Sequence, residues 1–494
     1  MEKNLLKKSK ILQVVHRLSQ ERGGGVYLVG GAVRDIFLEK PWGKDFDFVA
    51  AGEVSGLAHK LAKEMGGHVF PLDESGGTWR VVIKKGKRKT EVDFSSMQGG
   101  TIGDDLRQRD FTINSMAINL KEIFCSAALS PLDPLQAFSD LRRRILRTNS
   151  EESLRQDPLR MLRAFRFASS LGFSLEEETL RMIERNKELI LRSAWERIRG
   201  EFFAALNESR ADQFLQNLHQ SGLLGGIFPE TKGWEGLDQG IHHDFPLLEH
   251  AFKTVETAEF LLEHLRELYP AYANFLDQYF CEMVEEGVSR RALFKFVAFF
   301  HDSGKPETRD VGPEEKSVRF LDHDQKGQEI NILIARRMKL SRKSIGIISL
   351  LTRHHMRILS LSKIEEVTPR AKYRFFRDLG KEGIDAIFLA LADGLASRKI
   401  PLERPLFPQL PNDLKGIKEV ADGLLRYYFE EFSKKMPQPL LDGKEIMEIL
   451  GLPQGEVVGR LLAQLREAEA TGKVQTREQA WEFLKNLDRS RRFS

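Results

Sequence analysis

Near the start of the chain, Leu5, Leu6, Ile11, Leu12, Val15 and Leu18 recur at roughly helical spacing with lysines between them, which predicts an amphipathic helix. The period then shortens. Val26 to Val29 is an apolar run that feeds the pair Gly30-Gly31, Ala32 to Leu38 returns to helical spacing, and a Pro-Trp-Gly turn follows. Asp45-Phe46-Asp47-Phe48 alternates polar and apolar, so as a strand it has an acidic and an aromatic face. Ser55 to Met65 reads as a helix, and Val69 to Leu72, Trp79 to Ile83 and Glu91 to Phe94 read as strands. The basic run Lys84 to Lys89 between the last two is a hairpin tip or a contact for an RNA backbone. Past residue 100 the helical period dominates. A helix capped by Thr112 or Asp110 is expected first, and then an arginine-rich bridge, Leu132 to Arg147. Next comes a helix begun by Pro158 and capped by Asp157, with Leu159, Leu162 and Phe165 as its packing stripe. Further helices cover Ser193 to Arg199, Phe296 to Phe300, Leu441 to Leu452 and Gly459 to Ala468, and Pro401, Pro405, Pro408 and Pro411 mark a linker. Strands first and helices afterwards predict an α+β chain.

Length and composition narrow this picture. A chain of 494 residues has room for several domains, and 41% apolar with 30% charged residues fits a soluble globular protein. A formal charge of +4 permits nucleic-acid binding without requiring it, since local patches decide. Cys125 and Cys281 are the two cysteines, too few for a disulfide framework, so a reducing, cytoplasmic setting is expected. No apolar run approaches the ~20 residues of a membrane span, and the basic N-terminal segment is amphipathic, unlike a signal peptide.

The first candidate site follows from the alternation. Asp45 and Asp47 point the same way, and two adjacent carboxylates repel unless a cation lies between them; hard oxygen ligands suit Mg²⁺ that also holds a triphosphate. Gly30 and Gly31 let the backbone approach a phosphate, the helix behind them offers free N–H groups, and Arg34 can add a charge-assisted contact. This unit resembles the signature of the class II tRNA nucleotidyltransferase and bacterial poly(A) polymerase family, within the polymerase-β-like superfamily. The stretch Arg109-Asp110-Phe111-Thr112-Ile113-Asn114 resembles the family's second motif, although Gln108 stands where its first arginine usually is. Asp157 and Arg160 match the base-reading motif, with Gln156 in place of its leading glutamate. The resemblance implies that Asp45 and Asp47 are catalytic and hold Mg²⁺. It implies that Gly30, Gly31, Arg34 and Arg109 meet the triphosphate and Asn114 the sugar, and that Asp157 and Arg160, supported by Arg163 and Arg166, read ATP or CTP. Enzymes of this superfamily often carry a third carboxylate on a neighbouring strand; Glu91 or Asp93 fits, Asp93 being preferred.

A second constellation comprises His250, His301-Asp302 within His301-Asp302-Ser303-Gly304-Lys305, His323, the adjacent His354 and His355, and Asp393. The order resembles the HD phosphohydrolase superfamily. It implies that His250, His301, Asp302 and Asp393 bind a divalent transition metal or Mg²⁺, with His323 and one of the adjacent pair, His354 being preferred, as additional ligands. The expected organisation is a nucleotidyltransferase head with a small mixed sheet over residues 1–147, an all-α base-reading neck over 148–230, an HD domain over 231–400, and a helical RNA-binding body over 401–494. The implied function is template-independent addition of A, or of C, C and A, to the 3′ end of tRNA. Poly(A) synthesis on other RNAs and HD phosphohydrolysis as the main activity are the alternatives.

Overall fold

A computed structural model describes residues 2–43, 45–72, 77–86, 88–126, 129–311, 318–402, 410–434 and 440–491. They form two compact units, Met1–Ala205 with Gln213–Ile227, and Leu206–Asp212 with Phe228–Ser494.

The first unit is built on a six-stranded mixed sheet. Its strands are β1 (Val26–Val29), β2 (Asp45–Ala50), β3 (His68–Pro71), β4 (Thr78–Lys85), β5 (Arg88–Ser96) and β6 (Ala117–Asn119), in the order β3-β4-β5-β2-β1-β6. β2 and β5 run parallel; the other neighbours are antiparallel. Alternation on β2 sorts the side chains as expected. Phe46 and Phe48 are buried, and Phe48 stacks on Phe94 of β5 with ring centroids 5.3 Å apart. On the opposite face, Asp45 is exposed, Asp47 is half-buried and Val49 is buried against Leu106 of the helix Ile102–Arg107. The acidic face thus starts in solvent and ends in the core. The helix Ser55–Met65 buries Leu57, Ala58, Leu61 and Ala62, and it packs on β4. The Lys84–Lys89 run is a hairpin tip in which Lys85 pairs with Arg88; Lys87 lies outside the described residues.

Three local expectations are corrected. The N-terminal helix is two, Glu2–Lys8 and Lys10–Arg22, because the Ser9 side chain accepts from Leu12 N–H and starts a new helix. No α-helix follows Asp110. Thr112–Asn114 is a single 3₁₀ turn and β6 begins three residues later. The side chains expected to cap a helix have other partners: Asp110 accepts from Phe111 N–H and from Asn114, and Thr112 donates to Asp140. Asp157 does not cap the helix Leu159–Leu171; Pro158 occupies that position, and the Asp157 carboxylate accepts from Arg197 instead.

In the second unit the helices Leu247–Glu263, Arg290–Phe300, His323–Arg337, Arg342–His354 and Gly383–Ala396 bring their buried stripes together. Aromatic rings fill the core beside them, including Phe228, Trp234, Phe299 and Phe300. Gly304 fits this packing, since a Cβ there would lie 2.2 Å from the His323 carbonyl oxygen. The helices Gly443–Leu450, Glu456–Ala470 and Arg477–Arg491 share a further core around Ile446, Leu461, Leu465 and Leu484. Glu467, on the middle of these, takes ion pairs from Arg370, Arg374 and Arg377. Of the expected proline linker, residues 403–409 lie outside the described residues. Among the described residues, no helix is long and apolar enough to cross a membrane.

Candidate active site

A cavity of about 380 Å³ opens at the acidic end of β2, and Gly30, Gly31, Asp45, Asp47, Arg109 and Asn114 are among the residues that line it. Asp47 is the deeper carboxylate. Burial pushes it up to about 6, against the pull of Arg109 and with the help of Asp93 and Asp45. Gly30 has φ +71°, and a Cβ there would stand 2.9 Å from Asp47 Oδ2. Only glycine lets the turn pass so close to the carboxylate. Gly30→Ala is therefore expected to be folded and weakly active: the backbone must leave its left-handed conformation or push Asp47 aside. Nucleotide addition should fall by roughly a hundredfold, the cost of misplacing reacting groups by about 1 Å. A steady-state assay checks this, and full activity in Gly30→Ala would remove the close approach from the argument.

Both candidates for the third carboxylate lie beside the strand of Asp45 and Asp47 and meet an arginine. The register sets Asp93 opposite Asp47 and Glu91 opposite Asp45. Arg80, however, donates Nε and Nη2 to the two Asp93 oxygens, both at 2.8 Å, and Nη1 lies 3.0 Å from Glu91. One guanidinium thus bridges both acids, and Glu91 also pairs with Lys89.

The arginines divide by partner. Arg109 donates Nε and Nη2 to Asp105, which fixes its direction toward the cavity. Arg34 is buried and donates to Asn114 Oδ1 at 2.9 Å and to Asp35. Asn114 in turn donates to Asp110, which also accepts two bonds from Arg163. Arg163 and Arg166 share Glu201. The Phe167 ring lies under the guanidinium groups of Arg34, Arg163 and Arg166. Burial opposes the charge on Asp110, but Arg163, Asn114 and Phe111 N–H outweigh it and hold the carboxyl below its ordinary value. Asp157, Arg160 and Arg166 are not cavity-lining residues. Arg160 donates Nη1 to the carbonyls of Gln108 and Arg109, and Asp157 keeps one buried oxygen, Oδ1, free of hydrogen bonds.

The second unit gathers its histidines and acids in two groups. His250, His301, Asp302 and Asp393 offer donor atoms within 4.8 Å of one another, as do Asp302, His323 and His355. Asp302 belongs to both. Its Oδ2 lies 3.1 Å from His301 Nε2 and 3.7 Å from His250 Nε2. Its Oδ1 lies 3.4 Å from His323 Nε2 and 3.5 Å from His355 Nε2. The expectation for His354 is corrected to His355. Consecutive helical residues are turned by about 100°, so only one of such a pair can face the cluster. His301, His323 and His355 each donate Nδ1–H to the carbonyl three residues earlier, Ala298, Phe320 and Thr352. That fixes Nε2 as the nitrogen with the lone pair, the arrangement of metal-ligating histidine. His301 Nε2 and Asp393 Oδ1 are buried without a hydrogen bond of acceptable geometry, although 3.5 Å apart. Donor type, orientation and orphaned atoms fit a divalent cation. Burial opposes the charges on Asp302 and Asp393, yet the histidines, and for Asp302 also Lys305, hold both well below the usual carboxylate range. His243, beside His250, is pushed down to about 3 by burial and by Lys305.

Comparison with known proteins finds relatives over most of the chain. Residues 26–147 match the Poly A polymerase head domain, and residues 172–234 match the probable RNA and SrmB-binding site of polymerase A. The chain is 32% identical over 469 residues to an A-adding tRNA nucleotidyltransferase of Deinococcus radiodurans, covering 93% of this chain and 95% of that one. It is 33% identical over 465 residues to a CC-adding tRNA nucleotidyltransferase of Thermus thermophilus, covering 92% of each. The chain belongs to the class II tRNA nucleotidyltransferase and bacterial poly(A) polymerase family. The fold is likewise similar to solved structures. A CCA-adding enzyme with CTP has a TM-score of 0.62 at 20% identity, covering 95% of this chain and 93% of that one. A Thermotoga maritima CCA-adding enzyme complexed with tRNA has a TM-score of 0.60 at 21% identity, covering 96% and 94%.

Several residues of this family member escaped the sequence reading. Asp110 was seen only as part of a motif or as a cap, whereas it is the acid that joins Asn114 to Arg163. Glu201 and Arg197 gave no signal, because their partners lie far away along the chain, and Arg80 gave none because its partners depend on the β4–β5 register. Phe167 was readable only as a packing residue.

Proposed function

We propose that the chain adds nucleotides to the 3′ end of tRNA without a nucleic-acid template, taking them from ATP, with or without CTP. The observation that carries this reading is the pair Asp45 and Asp47 at the cavity, with Gly30 passing against Asp47 and Arg109 held beside it. The proposed organisation keeps the expected four segments, head 1–147, neck 148–230, HD domain 231–400 and body 401–494.

In the proposed reaction the RNA 3′ oxygen attacks the α-phosphorus of the nucleotide, and the bond to pyrophosphate breaks. Asp45 and Asp47 would hold Mg²⁺, which neutralises triphosphate charge and polarises the attacking hydroxyl when bound. Arg109 meets the phosphates, the Gly30-Gly31 turn lets them approach the backbone, and Asn114 faces the sugar. Arg34, which also lines the cavity, meets the phosphates too while donating to Asn114. Asp157 and Arg160 read the base, with Arg163 and Arg166 fixing the helix that carries Arg160. An A-adding and a CC-adding relative are nearly equally similar, so identity does not choose between these products. The deciding experiment supplies each NTP to three RNAs: tRNA lacking the whole CCA end, tRNA lacking only the final A, and an unrelated RNA. Extension of the unrelated RNA alone would make the chain a poly(A) polymerase.

The buried histidine–aspartate groups favour a second, separate activity, metal-dependent phosphohydrolysis. His250, His301, Asp302 and Asp393 would hold one divalent ion, and Asp302, His323 and His355 another. Because Asp302 serves both groups, Asp302→Ala is expected to lose bound transition metal and any phosphohydrolysis while sparing nucleotide addition. Metal analysis and both assays on one preparation check this. Collapse of addition in a folded Asp302→Ala protein would mean that the two activities are not separate.

A further inference from the structure

The strand register carries the acidic face of the sheet beyond the cavity. Asp47 pairs with Asp93 of β5, Asp93 with Arg80 of β4, and Arg80 with Phe70 of β3. Cross-strand partners share a face, so these four side chains form one row. Neighbouring strands lie about 4.8 Å apart, which sets Phe70 about 14 Å from Asp47. The opposite face is covered. There the helix Ser55–Met65 packs on β4, the rings of His59 and Trp79 are 5.1 Å apart, and Val81 and Ile83 are buried. The face with the row is open: Phe70 is 42% exposed and Val82 half-buried. Alternation puts Lys84 on this face with Arg80 and Val82, and Lys89 with Glu91 and Asp93. Lys84 and Lys89 pair across the hairpin and are exposed, and Lys89 also reaches Glu91.

The other side of β2 is differently furnished. Gly30 and Gly31 follow β1, and Arg109 Nη1 would stand 3.5 Å from a Cβ on Gly30. In an in-line displacement the attacking and leaving oxygens stand on opposite sides of phosphorus. Pyrophosphate that leaves toward Gly30, Gly31 and Arg109 therefore requires the RNA 3′ oxygen to arrive from the side of β5.

We infer that the open face of β3, β4 and β5 is the track of the RNA strand behind its 3′ end. Phe70 is the surface on which one base stacks, and Lys84 and Lys89 meet phosphates. This rests on the proposed addition of nucleotides to tRNA and extends it to the primer strand. The ligand is single-stranded RNA, for which 14 Å is roughly four stacked nucleotides at about 3.4 Å each. Stacking accepts any base, because every base has a π-face. That suits a strand whose last nucleotide changes as it grows. Arg80 lies between Asp93 and Phe70 and holds Asp93 and Glu91, acids that would otherwise repel the passing phosphates. An exposed phenylalanine on an edge strand invites aggregation; a base over the ring covers it.

The test uses the full chain and tRNA, with wild type, Phe70→Leu, Phe70→Tyr and Lys84→Gln. Phe70→Leu stays apolar but has no ring, so its KM for tRNA should rise roughly tenfold. Its KM for ATP should hold, which a merely disturbed sheet would not allow. Phe70→Tyr should restore the KM for tRNA. In a salt series, Lys84→Gln should flatten the dependence of log affinity on log salt by about 0.7, one phosphate contact on a single strand. An unchanged KM for tRNA in Phe70→Leu overturns the inference. An equal rise in Phe70→Tyr, or a parallel rise in the KM for ATP, also overturns it, because Phe70 then only packs. A salt dependence unchanged in Lys84→Gln takes the strand off this face. Failure of the underlying reading looks different: wild type would extend no tRNA with any NTP, and the inference would fall with it.

Discussion

Asp45→Ala and Asp47→Ala proteins should bind tRNA and fail to extend it, with addition reduced on the order of a thousandfold. Asp47→Asn should be as inactive and, unusually for an active-site change, more stable. Asp47 titrates near 6 because burial disfavours its charge, a larger influence than the opposing Arg109. The folded protein therefore holds this proton more tightly than the unfolded chain, whose aspartate titrates near its ordinary value. Between those two values the folded state binds more protons, so the contribution of Asp47 to stability falls as pH rises through the window and stays low above it. Ionisation at pH 7 then costs the fold roughly 3 kcal/mol, from about two pKa units. Asparagine carries no such charge. Thermal unfolding in EDTA should give Asp47→Asn the higher midpoint at pH 7 and nearly equal midpoints near pH 4, and excess Mg²⁺ should stabilise wild type selectively. An Asp47→Asn protein no more stable than wild type at pH 7 would place the carboxylate in a better-solvated site. Addition at both Asp45→Ala and Asp47→Ala would move the metal elsewhere.

Asp157→Asn should extend tRNA with the wrong nucleotides. ATP and CTP each present an amine donor beside a ring-nitrogen acceptor. Asp157 Oδ1, buried and free of hydrogen bonds, can accept from the amine, while Oδ2 is taken by Arg197. Arg160 is tethered to two backbone carbonyls and can donate its remaining N–H groups to the ring nitrogen. UTP and GTP invert that order and would face like with like. A site built on hydrogen bonds rejects such a partner strongly, because buried polar groups are left unpaired. Wild type should thus use ATP, with or without CTP, and exclude UTP and GTP. A carboxamide at 157 offers a donor where only an acceptor fits, so discrimination should drop by roughly a hundredfold or more. Metal-dependent chemistry should persist, because Asp45 and Asp47 lie on another element. Single-nucleotide addition with each of the four NTPs decides the matter; equal selectivity in the two proteins would take base reading away from this helix.

The elements that periodicity could reach were those whose side chains alternate against one core. β2 was legible because Phe46 and Phe48 face inward and Asp45 and Asp47 outward. The helix Ser55–Met65 was legible because its stripe is unbroken. The order of the strands was not, since the parallel pairing of β2 with β5 depends on contacts between residues far apart in sequence. The stretch after Asp110 misled for a definite reason: its residues have fair helical spacing, but the Asp110, Thr112 and Asn114 side chains bond within a turn and across to Asp140. Candidate site residues come together at one cavity where a motif is compact, as at Asp45 and Asp47. Lys305 was visible beside His301-Asp302 but had no assigned task. The choice between His354 and His355 needed the rotation of the helix end, which one residue of error reverses.

The placement of β2 also bears on how the head is made. It lies mid-sheet, yet β5, its parallel neighbour, ends only at Ser96, and β6, which closes the far side of β1, ends at Asn119. Emerging from the ribosome, β1 and β2 have each other while β5 is still being synthesised, an interval of roughly a few seconds at ordinary elongation rates. Through that interval the β5-facing edge of the alternating Phe-Asp strand stands unpaired, while the helix Ser55–Met65, encoded between the two strands, emerges. The acidic strand of the proposed catalytic pair thus waits for its parallel partner with that edge open.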